Sequence, residues 1–326
     1  MWQSVRKLPI LSSASRSREI AGIVLALAAA VAFALANTSA SVAYHSGSNA
    51  LTVAAIRFVL PTATLVVWLR MRGVPFALRG RDGWLAALLG AVTAVYTWAL
   101  LSAIASIPLA LAILVFYLFP LVATVILAAC GWEKFGWQTI TAIVLAFIGL
   151  ALALDPNGGN VNFKGVAMAL VGALGLGIVI AISSRVFGAG DARPVTLYIA
   201  AVSAMVLIGL CAAHGEFVLP QTGFGWLGFA GTSIFYAFAM ITFFIAISMI
   251  GPMRVSLLSY AEPVVSAGLG VTLLGETLAP IQITGIALVI TALVGATLLR
   301  PSTKWIAAVG MKRAIHHIRL SVWRGN

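Results

Sequence analysis

Charge is what this sequence has least of. Only 9% of its 326 residues are Asp, Glu, Lys or Arg, while 62% are hydrophobic. A water-soluble domain needs a polar outer face, and this composition cannot cover one. The mean hydropathy of +1.08 therefore excludes a soluble enzyme and argues against a nucleic-acid-binding domain, although the formal net charge is +12. Cysteine is nearly absent as well: Cys130 and Cys211 lie in or beside apolar stretches without metal-ligand or redox spacing and read as small hydrophobes. Of the four histidines, His45 and His214 fall at loops, and the adjacent His316 and His317 cannot share one helix face. No metal site or cofactor is expected. With no nucleophile and base clustered at membrane depth, the chain does not read as an intramembrane enzyme. It carries no Walker A sequence, so ATP drive does not reside in it. The N-terminus does not resemble a cleaved signal, because its first apolar run is too long and more follow.

What the sequence has is apolar runs of membrane-crossing length, about 20 residues each. Ten are read, at 20–43, 50–70, 84–104, 108–130, 137–154, 164–184, 195–213, 224–248, 253–274 and 281–299. Short connections rich in Gly, Pro and polar residues join them. The longest polar one, Asp155-Pro156-Asn157-Gly158-Gly159-Asn160, lies near the midpoint. The expected organisation is a tail at 1–19, a five-helix repeat at 20–155, an outer linker at 156–163, a second five-helix repeat at 164–300 and a basic tail at 301–326.

The basic residues test the count. Arg6, Lys7, Arg16 and Arg18 precede the first span. Arg70, Arg72, Arg79 and Arg81 follow the second, Lys134 the fourth, Arg185 and Arg193 the sixth, Arg254 the eighth, and Arg300 to Arg324 the tenth. All fall on one side of a ten-span chain, and the odd connections hold only Lys164. The positive-inside rule then places both termini in the cytoplasm of a multi-pass inner-membrane protein. The tail from Lys304 to Arg324, interleaved with Trp305, Ile315, Ile318, Val322 and Trp323, reads as a basic helix lying on the anionic leaflet.

Two stretches of the chain match. Tyr117-Leu118-Phe119-Pro120 is followed by Gly131-Trp132-Glu133, and Tyr260-Ala261-Glu262-Pro263 by Gly275-Glu276. Tyr stands three before Pro, and Glu thirteen after it, in both. Each half has an odd number of spans, so equivalent helices cross in opposite directions. That is an inverted repeat, the architecture of alternating-access transporters. Both prolines should kink their helices, and Glu133 and Glu276 sit at helix junctions, where capping or gating is open to them.

Ionisable groups within a span are costly and face a cavity or a partner. Arg57 stands about seven residues into the second span, roughly 10 Å deep. It reads as an anchor for an anionic group, as a charge satisfied by helix-end carbonyls, or as one snorkelling outward. Glu262, beside the expected kink, has three roles open to it: binding an amine, carrying a coupling proton, or bonding between helices. Asn37, Tyr96, Trp98, Tyr117, Tyr236 and Tyr260 are candidate pocket residues, amphipathic groups set deep in their spans, whereas Trp84 and Trp226 read as interface anchors. Gly172, Gly175 and Gly177, and the pair Ser266 and Gly270, offer close helix contact. The spelling at Gly172 is no nucleotide fingerprint, because no strand precedes it.

The segment from Pro252 to Gly295 resembles the closing half of an EamA-type domain of the drug/metabolite transporter superfamily. The motif residues are Glu262-Pro263, Gly275-Glu276, and then Gln282 and Gly285. Ala55-Ile56-Arg57-Phe58 is similar to the family's Arg-Phe in helix two. The resemblance, over about residues 20–300, implies an all-α permease of ten helices in two inverted halves. The partners expected are a small organic molecule such as an amino acid, exported by a secondary transporter, and the lipid bilayer. Import, or a non-transporting scaffold or channel, is the alternative. Nothing in the sequence requires more than a monomer.

Overall fold

In the computed structural model, residues 13–78, 80–131, 137–154, 162–186, 192–215 and 217–298 are described. Among them there are helices and turns and no strand. The basic C-terminal tail, Arg6 and Lys7, Arg79, Lys134, Asp155, residues 156–161 of the expected 156–163 linker and Glu133 lie outside the described residues. Seven of the ten apolar segments form single helices, and three form two each. In chain order they are α1 (Ser13–His45), α2 (Ala50–Arg57), α3 (Val59–Met71), α4 (Arg81–Ile104), α5 (Leu109–Phe116), α6 (Phe119–Ala129), α7 (Trp137–Leu154), α8 (Phe163–Val186), α9 (Ala192–His214), α10 (Gly223–Ile250), α11 (Pro252–Ser259), α12 (Ala261–Leu274) and α13 (Pro280–Leu298). Eight spans have the length and apolarity to cross a membrane, and the apolar parts of α7 and α13, Ile140–Leu154 and Pro280–Ala296, are shorter. Helical structure is what hydrocarbon demands, because each backbone N–H must find its carbonyl within the segment. Trp84 and Trp226 stand exposed in the first turns of α4 and α10.

The breaks have local causes. Spans four and nine part at Tyr117 and Tyr260, three residues before Pro120 and Pro263. A proline has no N–H for the carbonyl four residues earlier, so Phe116 and Ser259 lose their helical donors. The second span also breaks, at Phe58, which hydropathy does not reveal. Pro61 is the cause, and the carbonyl it frees belongs to Arg57. Gly131 and Gly275 end α6 and α12 with φ of +68° and +69°, a conformation costly for any side chain. Asn49 and Thr222 cap α2 and α10, their side chains accepting from Thr52 N and Gly225 N.

The packing is two-fold. α1 lies along α10, and its counterpart in the other half, α8, lies along α4. α11 and α12 pack on α1 as α5 and α6 pack on α8, and α4 meets α9 as α10 meets α2 and α3. Three contacts join counterparts directly: α7 with α13, α2 and α3 with α9, and α5 with α12. The two repeats are interwoven, and neither half buries its core without the other. At the end away from the N-terminus α5 and α12 pack together. At the opposite end α6 and α11 do not pack on each other to any comparable extent.

Between lipid-embedded helices, association depends on close contact rather than on apolar burial. On α8, Gly172 lies under the Phe116 ring, Gly175 under Tyr96 and Gly177 under Val122. The tightest crossing is α7 on α13: a Cβ on Gly149 would stand 2.8 Å from the Gly285 carbonyl oxygen, and a Cβ on Gly285 2.5 Å from that of Gly149. Gly285→Val should therefore destabilise the bundle by about 1–3 kcal/mol or more, read as a lower unfolding temperature in detergent. Gly268→Val, at an exposed position with nothing nearby, should leave that temperature unchanged.

Candidate functional site

Four helices bring one hydrogen-bonded chain into the middle of the bundle. Arg57, the last residue of α2, donates from Nη2 to Asn37 Oδ1 of α1 at 2.9 Å. Asn37 Nδ2 donates to Glu262 Oε1 at 3.0 Å. The other carboxylate oxygen, Oε2, lies 2.7 Å from the Tyr117 hydroxyl at the α5–α6 break. That hydroxyl is also 2.9 Å from the carbonyl oxygen of Ser259, the one freed by Pro263. The expected kink thus opens a backbone acceptor in one repeat, and the single hydroxyl hydrogen of the other repeat's tyrosine lies between it and the Glu262 carboxylate. Asn37, Arg57, Tyr117 and Glu262 are 2%, 3%, 4% and 6% exposed, so neither charge meets lipid or bulk water.

Arg57 and Glu262 do not pair directly. Asn37 stands between them, its carbonyl toward the cation and its amide toward the carboxylate. The guanidinium lies over the Tyr236 ring, 4.2 Å from its centroid, and Phe33 and Phe58 meet that ring edge-on at 5.6 Å each. A cation on an aromatic face gains about 2 kcal/mol or more when desolvated. That does not complete the site: Nε and Nη1 of Arg57 have no acceptor among the described residues. Three of the five N–H groups of a buried guanidinium are therefore unmatched, although such groups normally are bonded. The hydroxyl of Tyr44, within electrostatic range of Arg57, is also buried without a partner among the described residues.

A ring of aromatics closes the site. Tyr117 meets Tyr260 at 6.0 Å and Phe119 at 5.5 Å, and Phe116 bridges Tyr117 to Tyr96. Of the pocket residues expected from sequence, Asn37, Arg57, Tyr117, Tyr236 and Glu262 come together, with Tyr96 and Tyr260 beside them. Trp98 does not. It is 40% exposed, because two residues advance about 200° around a helix and Tyr96 takes the inward face. Pro120 and Pro263 lie at the breaks. Glu276 does cap a helix, but one in the other repeat: Oε1 accepts from Leu109 N at 2.6 Å and Oε2 from Ala110 N at 3.5 Å, at the first turn of α5. Sequence reasoning missed Tyr44, Phe33 and the break at Phe58. Pro61, four residues after Arg57, was the available signal for the last.

The sequence model of the EamA-like transporter family matches the chain twice, over residues 20–154 and 163–298. Among solved structures the chain is similar to a protein known by crystal structure, with 22% identity and a TM-score of 0.57 over 88% of this chain and 97% of that one. That likeness is one of fold. No curated protein matches the chain in sequence.

The bridging amide carries a stability consequence. Asn37→Leu strands a buried N–H of Arg57 and a buried oxygen of Glu262, and should cost about 3–5 kcal/mol, seen as a marked drop in unfolding temperature. Thr38→Val, which removes only a bond to the α1 carbonyl of Ala34 at 2.9 Å, should change it little.

Proposed function

The chain belongs to the EamA-like transporter family, and from that premise we propose that it exports a small zwitterionic metabolite of the amino-acid class by alternating access. That it is a multi-pass membrane transporter of small molecules follows from the family and from the eight membrane-length apolar spans and two shorter apolar helices among the described residues. The observation that carries the finer reading is the set of unmatched N–H groups on Arg57, one amide away from Glu262. A substrate carboxylate would complete the guanidinium, since charge-assisted bonds of this kind are the strong ones. A substrate amine would take the Glu262 carboxylate. Aromatic faces on Tyr96, Tyr117, Tyr236 and Tyr260 suit an organic side chain.

The gating proposed follows the repeat. The flexible breaks at Pro120 and Pro263 allow each outer half-helix to move on its inner half. Glu276, bonded to the first amides of α5, latches the end where α5 and α12 meet. The distribution of Lys and Arg supports cytoplasmic termini, so the latched end faces outward and substrate enters from the cytoplasm. Glu262 is also the carboxylate available for a coupling proton.

Flux of radiolabelled amino acids in proteoliposomes tests this reading. Arg57→Gln and Glu262→Gln should each lower flux about 10–100-fold, the worth of one charge-assisted bond. Full flux in either variant would sink the zwitterion reading. Should Glu262→Gln retain activity with the same pH profile as the unaltered protein, the coupling role falls as well.

A further inference from the structure

We infer that the Asn37 side chain is an internal stand-in for the substrate, so that its amide, and not only the two charges, sets which zwitterions the site takes. This rests on reading Arg57 and Glu262 as the two ends of a zwitterion site. An acceptor oxygen faces Arg57 Nη2 at 2.9 Å, and a donor nitrogen faces Glu262 Oε1 at 3.0 Å. A bound amino acid would present the same pattern, with a carboxylate oxygen toward the guanidinium and an ammonium toward the carboxylate.

The spacing is the informative quantity. In a primary amide the oxygen and nitrogen share one carbon and lie about 2.3 Å apart. In an α-amino acid the ammonium nitrogen and the nearer carboxylate oxygen are one bond further removed, about 2.7 Å apart. In a γ-amino acid two more carbons intervene, and the ends reach a comparable separation only in a folded chain. The gap between Arg57 and Glu262 that accommodates the amide is therefore close to that required by an α-amino acid and too short for an extended γ-amino acid. Asn37 is itself 2% exposed and lies on α1, which packs on α10 and α12. Its amide has to turn aside before a ligand bridges the same two groups. The amide thus bridges Arg57 Nη2 and Glu262 Oε1, while Nε and Nη1 of Arg57 are left for the second oxygen of a substrate carboxylate.

Two consequences separate this role from plain structural bonding. The first is selectivity by spacing. Binding of 2-, 3- and 4-aminobutyrate, which are isomers of one composition, is measured on the full-length purified protein by titration calorimetry. The 2-isomer should bind at least about tenfold more tightly than the 4-isomer, one misplaced charge-assisted bond being worth that much. Equal affinity for the three isomers would overturn the inference while leaving the zwitterion reading intact, whereas binding of none of them would overturn both. The second is relief of competition. In Asn37→Ala no amide has to be displaced, so 2-aminobutyrate should bind about tenfold more tightly than to the unaltered protein, even as the unliganded variant unfolds at a lower temperature. Weaker binding to Asn37→Ala would mean that Asn37 holds the substrate instead of standing in for it. If that variant does not fold, the isomer series on the unaltered protein decides by itself.

Discussion

Two opposite charges sit in the middle of an apolar bundle and do not touch. Placing a charged side chain at the centre of a bilayer costs about 2.5–3.5 kcal/mol even by insertion scales, and the whole arrangement of the interior follows from meeting that cost. Asn37 connects the pair, Tyr117 holds the far oxygen of Glu262, and Tyr236 supports the flat face of Arg57. Each comes from a different span, so the network also fixes how α1, α2, α10 and the two broken helices sit against one another. A bundle of purely apolar helices has little to define register, because lipid is as apolar as the helix faces. Here the polar chain and the glycine crossings supply that definition.

The broken helices are what make the network fit. Pro61, Pro120 and Pro263 each release a carbonyl at membrane depth, where nothing from solvent reaches it. One faces the Tyr117 hydroxyl from the opposite repeat, and Ser233 bonds the adjacent carbonyl of Ile56 next to the second-span break. The duplication thus does more than double the number of helices. It places a tyrosine of one half beside a proline break of the other, so the halves complete each other's backbone. The same exchange recurs where α5 and α12 meet, with Glu276 of the second repeat capping α5 of the first.

Much of this was legible in the sequence. Hydropathy located the ten apolar segments, and the shared Tyr, Pro and Glu spacing marked two of the three breaks and the inverted relation of the halves. Arg57 and Glu262 were conspicuous because charge within an apolar run is rare. The third break was hidden, since Pro61 has no counterpart in the Tyr/Pro repeat. The linking role of Asn37 was hidden too: an amide in an apolar helix announces polarity but not its two partners, which lie 20 and 225 residues away. Trp98 stands apart from the others, 40% exposed, because depth along a helix says nothing about azimuth, and Tyr96 two residues earlier occupies the inward face. Glu276 was read as a cap from its position, and its actual client in the other repeat emerges only from the fold.

The central claim is that Arg57 and Glu262 act as the two ends of a single binding site. A double-mutant cycle on amino-acid flux in proteoliposomes, combining Arg57→Gln with Glu262→Gln, tests it most directly. Because both groups would hold the same molecule, the loss in the double variant should fall well short of the sum of the two single losses in free energy. Fully additive losses would contradict the account, assigning the two residues to separate tasks.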